Sequence, residues 1–235
     1  MNHTFYLGNN LEILPRLKSE SVDLIITSPP YNLGNNHHTG SSNTNTYFDN
    51  LPESLYQMQQ TYFLTECFRV LKKDGSMFYN HKNRIKSGLQ ITPYQWLLRT
   101  DFIIKQEIVW FNGSQNFDKI RFYPMTERVY WLAKSPKTKL MNNINHHDYF
   151  DKKEWPPVGT GGKFKRAFPE QLVNDLMLCF PDAKTVLDPY GGSGTVSKVA
   201  RQLGKNSIYI DLEQEYVDMA IEVCGFNEGE VEIKK

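Results

Sequence analysis

At 235 residues, with 40% hydrophobic residues, 23% charged residues and a formal net charge of +1, the chain has the make-up of an ordinary globular protein. A polycation is excluded, so any nucleic-acid partner has to meet a locally basic face. No apolar run reaches the roughly 18 residues that a membrane helix needs, and Met1-Asn2-His3-Thr4-Phe5 lacks a signal-peptide pattern; a cytoplasmic protein with no membrane partner is expected.

The first clear element is an apolar run over residues 22–27 that stops at Ser28-Pro29-Pro30. Two prolines end both sheet pairing and helix continuation, so this reads as a buried strand ending abruptly. Residues 32–50 are rich in Asn, Ser, Thr, Gly and His and are expected to form a mobile loop. Residues 55–71 carry apolar side chains at helical spacing and lead into Lys72-Lys73-Asp74-Gly75, which reads as a helix C-terminus. A strand is expected at 76–79, a helix at 94–100, and two strands at 103–111 and 128–133 that pair as a hairpin or lie as neighbours.

Residues 135–165 change character, being polar and aperiodic, with Pro156-Pro157 and a glycine cluster at 159–162. From 134 to 166 about eight Lys/Arg face about three Asp/Glu, a locally basic stretch in a nearly neutral chain. A helix follows at 168–180, opened by Pro169, then strand 185–187, helix 195–203, strand 207–210 and helix 213–223. Alternation of strands and helices predicts an α/β sheet covered by helices on both faces. Cys67, Cys179 and Cys224 form no C-x-x-C pair and read as reduced, buried thiols. The adjacent pairs His37-His38 and His146-His147 have no cysteine nearby, and no metal is expected.

Two constellations carry chemistry. Asp188-Pro189-Tyr190-Gly191-Gly192-Ser193-Gly194-Thr195 joins a strand to a helix. A glycine-rich turn there brings backbone close to a ligand, and the free N–H groups of the new helix aim at it. Asp211, at the end of the next strand, stands where nucleotide-binding folds carry an acid for ribose hydroxyls. No Gly-Lys-Ser/Thr follows the glycines, which excludes a P-loop. The second constellation is Ser28-Pro29-Pro30-Tyr31. The Ser28 hydroxyl and the Pro29 carbonyl make a pair of acceptors suited to an NH₂ group, and Tyr31 offers a flat face on which an extruded base can stack.

These residues resemble the β group of DNA amino-methyltransferases, in which a catalytic motif comes first, then a target-recognition region, then the cofactor motif. The likeness spans nearly the whole chain. It takes in Gly8-Asn9-Asn10-Leu11, the Ser28 to Tyr31 motif, Val70 to Ser76, Ile108-Val109-Trp110, Lys165-Arg166-Ala167-Phe168-Pro169-Glu170 and the Asp188 to Thr195 turn. The resemblance implies a Rossmann-like, mixed, mostly parallel sheet in the circularly permuted methyltransferase fold, as one domain over 1–235. It implies S-adenosylmethionine as cofactor, held by Phe168, Pro169, Asp188, Tyr190 through Thr195, and Asp211. It implies double-stranded DNA as partner and an exocyclic base amine as acceptor, with the two motif strands side by side. A serine at the first motif position is more typical of cytosine N4 enzymes, an aspartate of adenine N6 enzymes. Three departures stand out: Asn9 in place of an acid, Tyr190 in place of phenylalanine, and Tyr209 in place of glycine.

Target recognition is expected in residues 135–165, with Lys137, Lys139, Lys152, Lys153, Lys163 and Lys165 contacting DNA. So short a region predicts a short target or a second subunit, as in a homodimer. Methylation at cytosine C5 is excluded, because it needs a cysteine nucleophile after proline and none of the three cysteines has that setting. The remaining rivals are adenine N6 methylation and a non-catalytic DNA-binding subunit; methylation of a protein amide or of RNA is weaker, since such enzymes usually place the cofactor motif first.

Overall fold

The computed structural model describes residues 1–34, 49–113, 119–142, 147–158, 167–227 and 229–234. Its strands are β1 (His3–Leu7), β2 (Val22–Thr27), β3 (Leu71–His81), β4 (Arg84–Lys86), β5 (Leu89–Ile91), β6 (Ile103–Phe111), β7 (Thr126–Ala133), β8 (Tyr149–Phe150), β9 (Thr185–Asp188), β10 (Asn206–Asp211) and β11 (Val231–Lys234). The helices are α1 (Asn10–Ile13), α2 (Glu53–Val70), α3 (Tyr94–Leu97), α4 (Glu170–Leu178), α5 (Thr195–Gln202) and α6 (Gln214–Cys224). Nine strands form one sheet in the order β11-β1-β10-β9-β2-β3-β7-β6-β8, and β4-β5 is a separate hairpin. Neighbours from β11 to β3 are parallel; β7 runs antiparallel to both β3 and β6.

Alternation along the central strands builds a core on each face. Ile25, Met77, Tyr79 and Leu187 pack against α2 and α3, while Leu24, Ile26, Phe78 and Val186 pack against α4 and α5. A third cluster seats α6 on Phe5 and Tyr209. The helices therefore cover both faces, as the alternating pattern predicts. Cys67, Cys179 and Cys224 are buried and unpaired. Among the described residues no helix is long and apolar enough to cross a membrane, and no group of three His, Cys, Asp or Glu side chains is placed to hold a metal.

Two expectations differ from the structure. Lys72 to Gly75 do not cap α2; the chain turns directly into β3, with Leu71 already extended. Gly75 is required by close approach, because a Cβ there would meet the Leu71 side chain at 2.8 Å and the Asp23 carbonyl at 2.9 Å, where β2 and β3 shift register. The helix expected over 94–100 closes after Leu97, where the Thr100 hydroxyl donates to the Leu97 carbonyl at 2.7 Å. Of the loop expected over 32–50, residues 35–48 lie outside the described residues. Its stem is clamped: the Asn32 amide and carbonyl groups bond the backbone of Leu51 at 3.0 and 2.7 Å, and the Asn32 N–H donates to Asp49 at 2.5 Å.

Candidate active site

The C-terminal ends of the parallel strands carry both sequence constellations. β2 and β9 are direct neighbours, Leu24 opposite Val186 and Ile25 opposite Leu187, so Ser28 and Pro189 leave the same sheet edge side by side. A buried hydrogen bond ties the two ends, Thr27 Oγ1 donating to Asp188 Oδ1 at 2.8 Å. Asn10, at the start of α1, braces the glycine turn by donating to the Pro189 carbonyl at 2.8 Å. Asn9 is occupied locally: its side chain accepts from the Leu11 N–H at 3.0 Å and caps α1.

The glycine turn is shaped by close contacts. A Cβ on Gly191 would lie 2.1 Å from the Tyr209 ring, and Gly192 and Gly194 adopt φ of 47° and 76°. Tyr209, one of the departures, therefore fills the space below the turn, and its hydroxyl donates to the Gly192 carbonyl at 2.9 Å. Gly194 is the N-cap of α5 without a side-chain cap, and the Ser193 and Thr195 hydroxyls meet at 2.9 Å. Asp211 accepts from the Gly192 and Glu213 N–H groups at 2.8 and 3.0 Å, which fixes its carboxylate against the turn. Burial lifts Asp211 to a pKa of about 6 and Asp188 to about 7, against the hydrogen bonds from their donors. Tyr190 packs on Phe63 at 5.0 Å, with Asn10 and Gln60 at its hydroxyl.

Beside this turn, Ser28 Oγ lies 2.9 Å from Tyr31 Oη and 3.1 Å from Asn80 Oδ1. Tyr31 Oη is 2.6 Å from Asn80 Oδ1 and 2.9 Å from Glu127 Oε2. Asn112 donates to the other Glu127 oxygen at 2.8 Å, and Asn80 donates to the Arg128 carbonyl at 3.0 Å. Burial raises the Glu127 carboxyl above the ordinary range, and burial also holds the Tyr31 phenol protonated. The Pro30 carbonyl is taken by the Tyr56 hydroxyl at 2.6 Å, whose oxygen is 2.7 Å from His81 Nε2. His81 Nδ1 lies 2.8 Å from the Lys82 carbonyl and 2.9 Å from the Lys82 N–H, which anchors the ring that backs Tyr56. Burial keeps His81 neutral, with a pKa of about 3. Among the described residues no donor reaches the Pro29 carbonyl.

Asn80, His81, Glu127, Tyr56 and Asn112 are absent from the sequence-based site. They come from β3, β7, α2 and the end of β6, and no local spacing links them to Ser28. The only sequence signal is proximity of Asn80 and His81 to the end of an expected strand.

The expected cofactor residues Phe168 and Pro169 stand at the entry of α4, with Pro169 its N-cap and Phe168 packed on the adjacent core. The lysines divide. Lys152 and Lys153 are exposed just beyond β8, whose partner β6 runs parallel to β3, so they share the edge with Ser28. Lys137 and Lys139 are exposed beyond the C-terminal end of antiparallel β7, on the opposite edge. There Lys134 pairs with Glu20, ahead of β2. Antiparallel β7 therefore prevents the four from forming one patch. Lys163 and Lys165 lie outside the described residues.

Comparison with known proteins agrees with this fold. Type II methyltransferase M.HpaI of Haemophilus parainfluenzae is 29% identical over 94% of this chain and 74% of its own length. M.HinfI of Haemophilus influenzae is 28% identical over 93% and 67%. The PvuII DNA methyltransferase, described as cytosine-N4-specific, superposes with a TM-score of 0.77 at 22% identity, over 97% of this chain and 88% of its own. TTHA0409 of Thermus thermophilus, solved with S-adenosyl-L-methionine, gives 0.71 at 18% identity over 99% and 98%. At such identities these structures speak for the fold. The pattern of the N6 and N4 DNA methylases matches residues 22–222, which include both turns, and the chain belongs to that DNA methylase family.

Proposed function

We propose that this chain transfers a methyl group from S-adenosylmethionine to the exocyclic amine of a base in double-stranded DNA, with cytosine N4 as the target. The reading is carried by one observation: the Ser28-Pro29-Pro30-Tyr31 turn leaves the sheet beside the glycine turn, tied to it by the Thr27–Asp188 hydrogen bond.

The residues present fit the cofactor. A Cβ on Gly191 would strike the Tyr209 ring and one on Gly194 the Ala220 side chain, so the turn packs tightly on β10 and α6; the N-terminal amides of α5 suit an anionic group, and Asp211 suits ribose hydroxyls. When bound, S-adenosylmethionine supplies an electrophilic methyl on a positively charged sulfur. The protein's part is positioning. An exocyclic amine is a poor nucleophile because its lone pair is delocalised into the ring. Accepting both N–H bonds at Ser28 and Pro29 draws the nitrogen toward tetrahedral geometry and orients its lone pair. The Tyr56 hydroxyl, backed by His81, holds the Pro30 carbonyl in place. Preference for cytosine rests on a serine hydroxyl at the first motif position.

DNA would approach the edge that carries both turns. Exposed there are Lys152 and Lys153, and residues 119–125, which lead into β7, expose Lys119 and Phe122. Arg121 pins this segment to the β4–β5 hairpin by donating to the Gly88 carbonyl at 2.7 Å.

DNA from cells expressing the protein should contain a methylated amine at a fixed sequence, read by sequencing with modified-base detection and by mass of the digested nucleosides. N4-methylcytosine is the expected product; N6-methyladenine would move the target base, and unmodified DNA from a protein that binds it would leave a non-catalytic subunit. Ser28→Ala should lower the rate by about 10²- to 10³-fold, the usual cost of losing one positioned polar contact in a transition state.

A further inference from the structure

The cluster around Tyr31 can bind one more proton than its two hydroxyls carry. Tyr31 Oη has a single hydrogen yet lies 2.6 Å from Asn80 Oδ1 and 2.9 Å from Glu127 Oε2, both of them acceptors when Glu127 is ionised. With Glu127 ionised, Tyr31 donates to it, and Asn80 Oδ1 receives only the Ser28 hydroxyl at 3.1 Å. With Glu127 protonated, Glu127 donates to Tyr31, Tyr31 turns its hydrogen to Asn80, and three hydrogens instead of two serve the four oxygen contacts. The cluster thus has two proton-bonding patterns that differ by one proton on Glu127. It also has a conducting path to the acceptor pair, because Ser28 Oγ is 2.9 Å from Tyr31 Oη.

We propose that Glu127 is the proton acceptor of the reaction, receiving the amine's proton through Ser28 and Tyr31. This rests on the amine-methylation reading above and names a residue that reading does not use. In the step, one N–H bond of the base amine breaks with its electron pair staying on nitrogen. The proton passes to Ser28 Oγ, the Ser28 hydrogen to Tyr31 Oη, and the Tyr31 hydrogen to Glu127 Oε2. Both hydroxyls end neutral and the carboxylate ends as a carboxylic acid, so charge balances with no further reagent. The groups facing Glu127 are Tyr31 from the turn after β2, Asn80 and Lys82 from the end of β3, and Asn112 from the end of β6; on β7 itself Arg128 pairs with Glu107 at 2.7 Å. Burial outweighs the pull of Lys82 and of the hydrogen bonds and lifts the carboxyl, which brings its proton affinity closer to that of a useful base.

The test compares wild type, Glu127→Gln and Tyr31→Phe. Single-turnover methylation of bulk DNA at saturating S-adenosylmethionine, read as methylated nucleoside by mass, should rise about tenfold per pH unit in wild type and then level off. Glu127→Gln should lose that rise and fall at least tenfold below the wild-type plateau. Tyr31→Phe keeps the ring and the carboxylate but cuts the path, and should show the same flattening. If Glu127→Gln folds poorly, Tyr31→Phe carries the kinetic test alone. Independently of turnover, infrared difference spectra of the protein without cofactor or DNA should show a carboxylic-acid band that titrates above the ordinary glutamate value of about 4.3 and vanishes in Glu127→Gln. A wild-type pH profile in the folded variants, or a Glu127 band titrating at the ordinary value, would overturn the assignment. Wild-type protein that methylates no amine would instead overturn the methyltransferase reading, an outcome the variants' infrared spectra keep separate.

Discussion

Asp188 shows how one residue of the site trades stability for function. It is 3% exposed, takes hydrogen bonds from Thr27 and from the Tyr190 N–H, and is lifted by burial to a pKa of about 7. Its folded value lies above its unfolded value of about 3.9, so the folded state holds the extra proton between them. The associated stability is complete below about pH 4 and is lost as pH rises through about 7, at up to about 1.4 kcal/mol per pH unit. Asp188→Asn keeps the oxygen that Thr27 and Tyr190 address while removing the buried charge. Its melting temperature should fall less steeply from pH 5 to 8 than that of the wild type, the remaining decline belonging to Asp211 and Glu127, and it should exceed the wild type at pH 8. A parallel decline in both proteins would show that Asp188 is not the titrating group. Sequence reasoning places Asp188 on the turn but cannot give this environment, because its donor Thr27 stands 161 residues away.

Among the elements, those with a local signature were legible and those defined by partners were not. The proline stop after β2, the glycines after β9 and the helical spacing of α2 and α6 all appear within a dozen residues. The short strands β4, β5, β8 and β11 carry no such pattern, and β1 is recognisable only once β10 and β11 flank it. The direction of β7 decides which lysines share the edge that carries the two turns. Neutralising Lys152 and Lys153 together should lower the salt slope of DNA binding by about 0.9 per lost phosphate contact. Neutralising Lys137 and Lys139, on the far edge, should leave that slope unchanged. Binding titrations at several salt concentrations would check both pairs, and equal effects would contradict the division between edges. Phe122→Ala should weaken binding without altering the slope, since the ring carries no charge.

In the molecule as a whole, chain order and spatial order are different things. Two turns separated by most of the sequence meet because β9 inserts beside β2, and the resemblance to a permuted family made that juncture legible where composition and periodicity could not. Asn80 and Glu127 escaped notice because β3 and β7 bring them in through pairing across the sheet. Among the described residues, the bond from Thr27 to Asp188 is the one buried side-chain link between the ends of β2 and β9. Whatever tightens one turn is therefore felt by the other, and the two substrates should bind cooperatively. By thermodynamic reciprocity, DNA should raise affinity for S-adenosylmethionine by the same factor by which S-adenosylmethionine raises affinity for DNA. Thr27→Val preserves shape but deletes the donor, and calorimetry on it should find that factor reduced toward one in both directions.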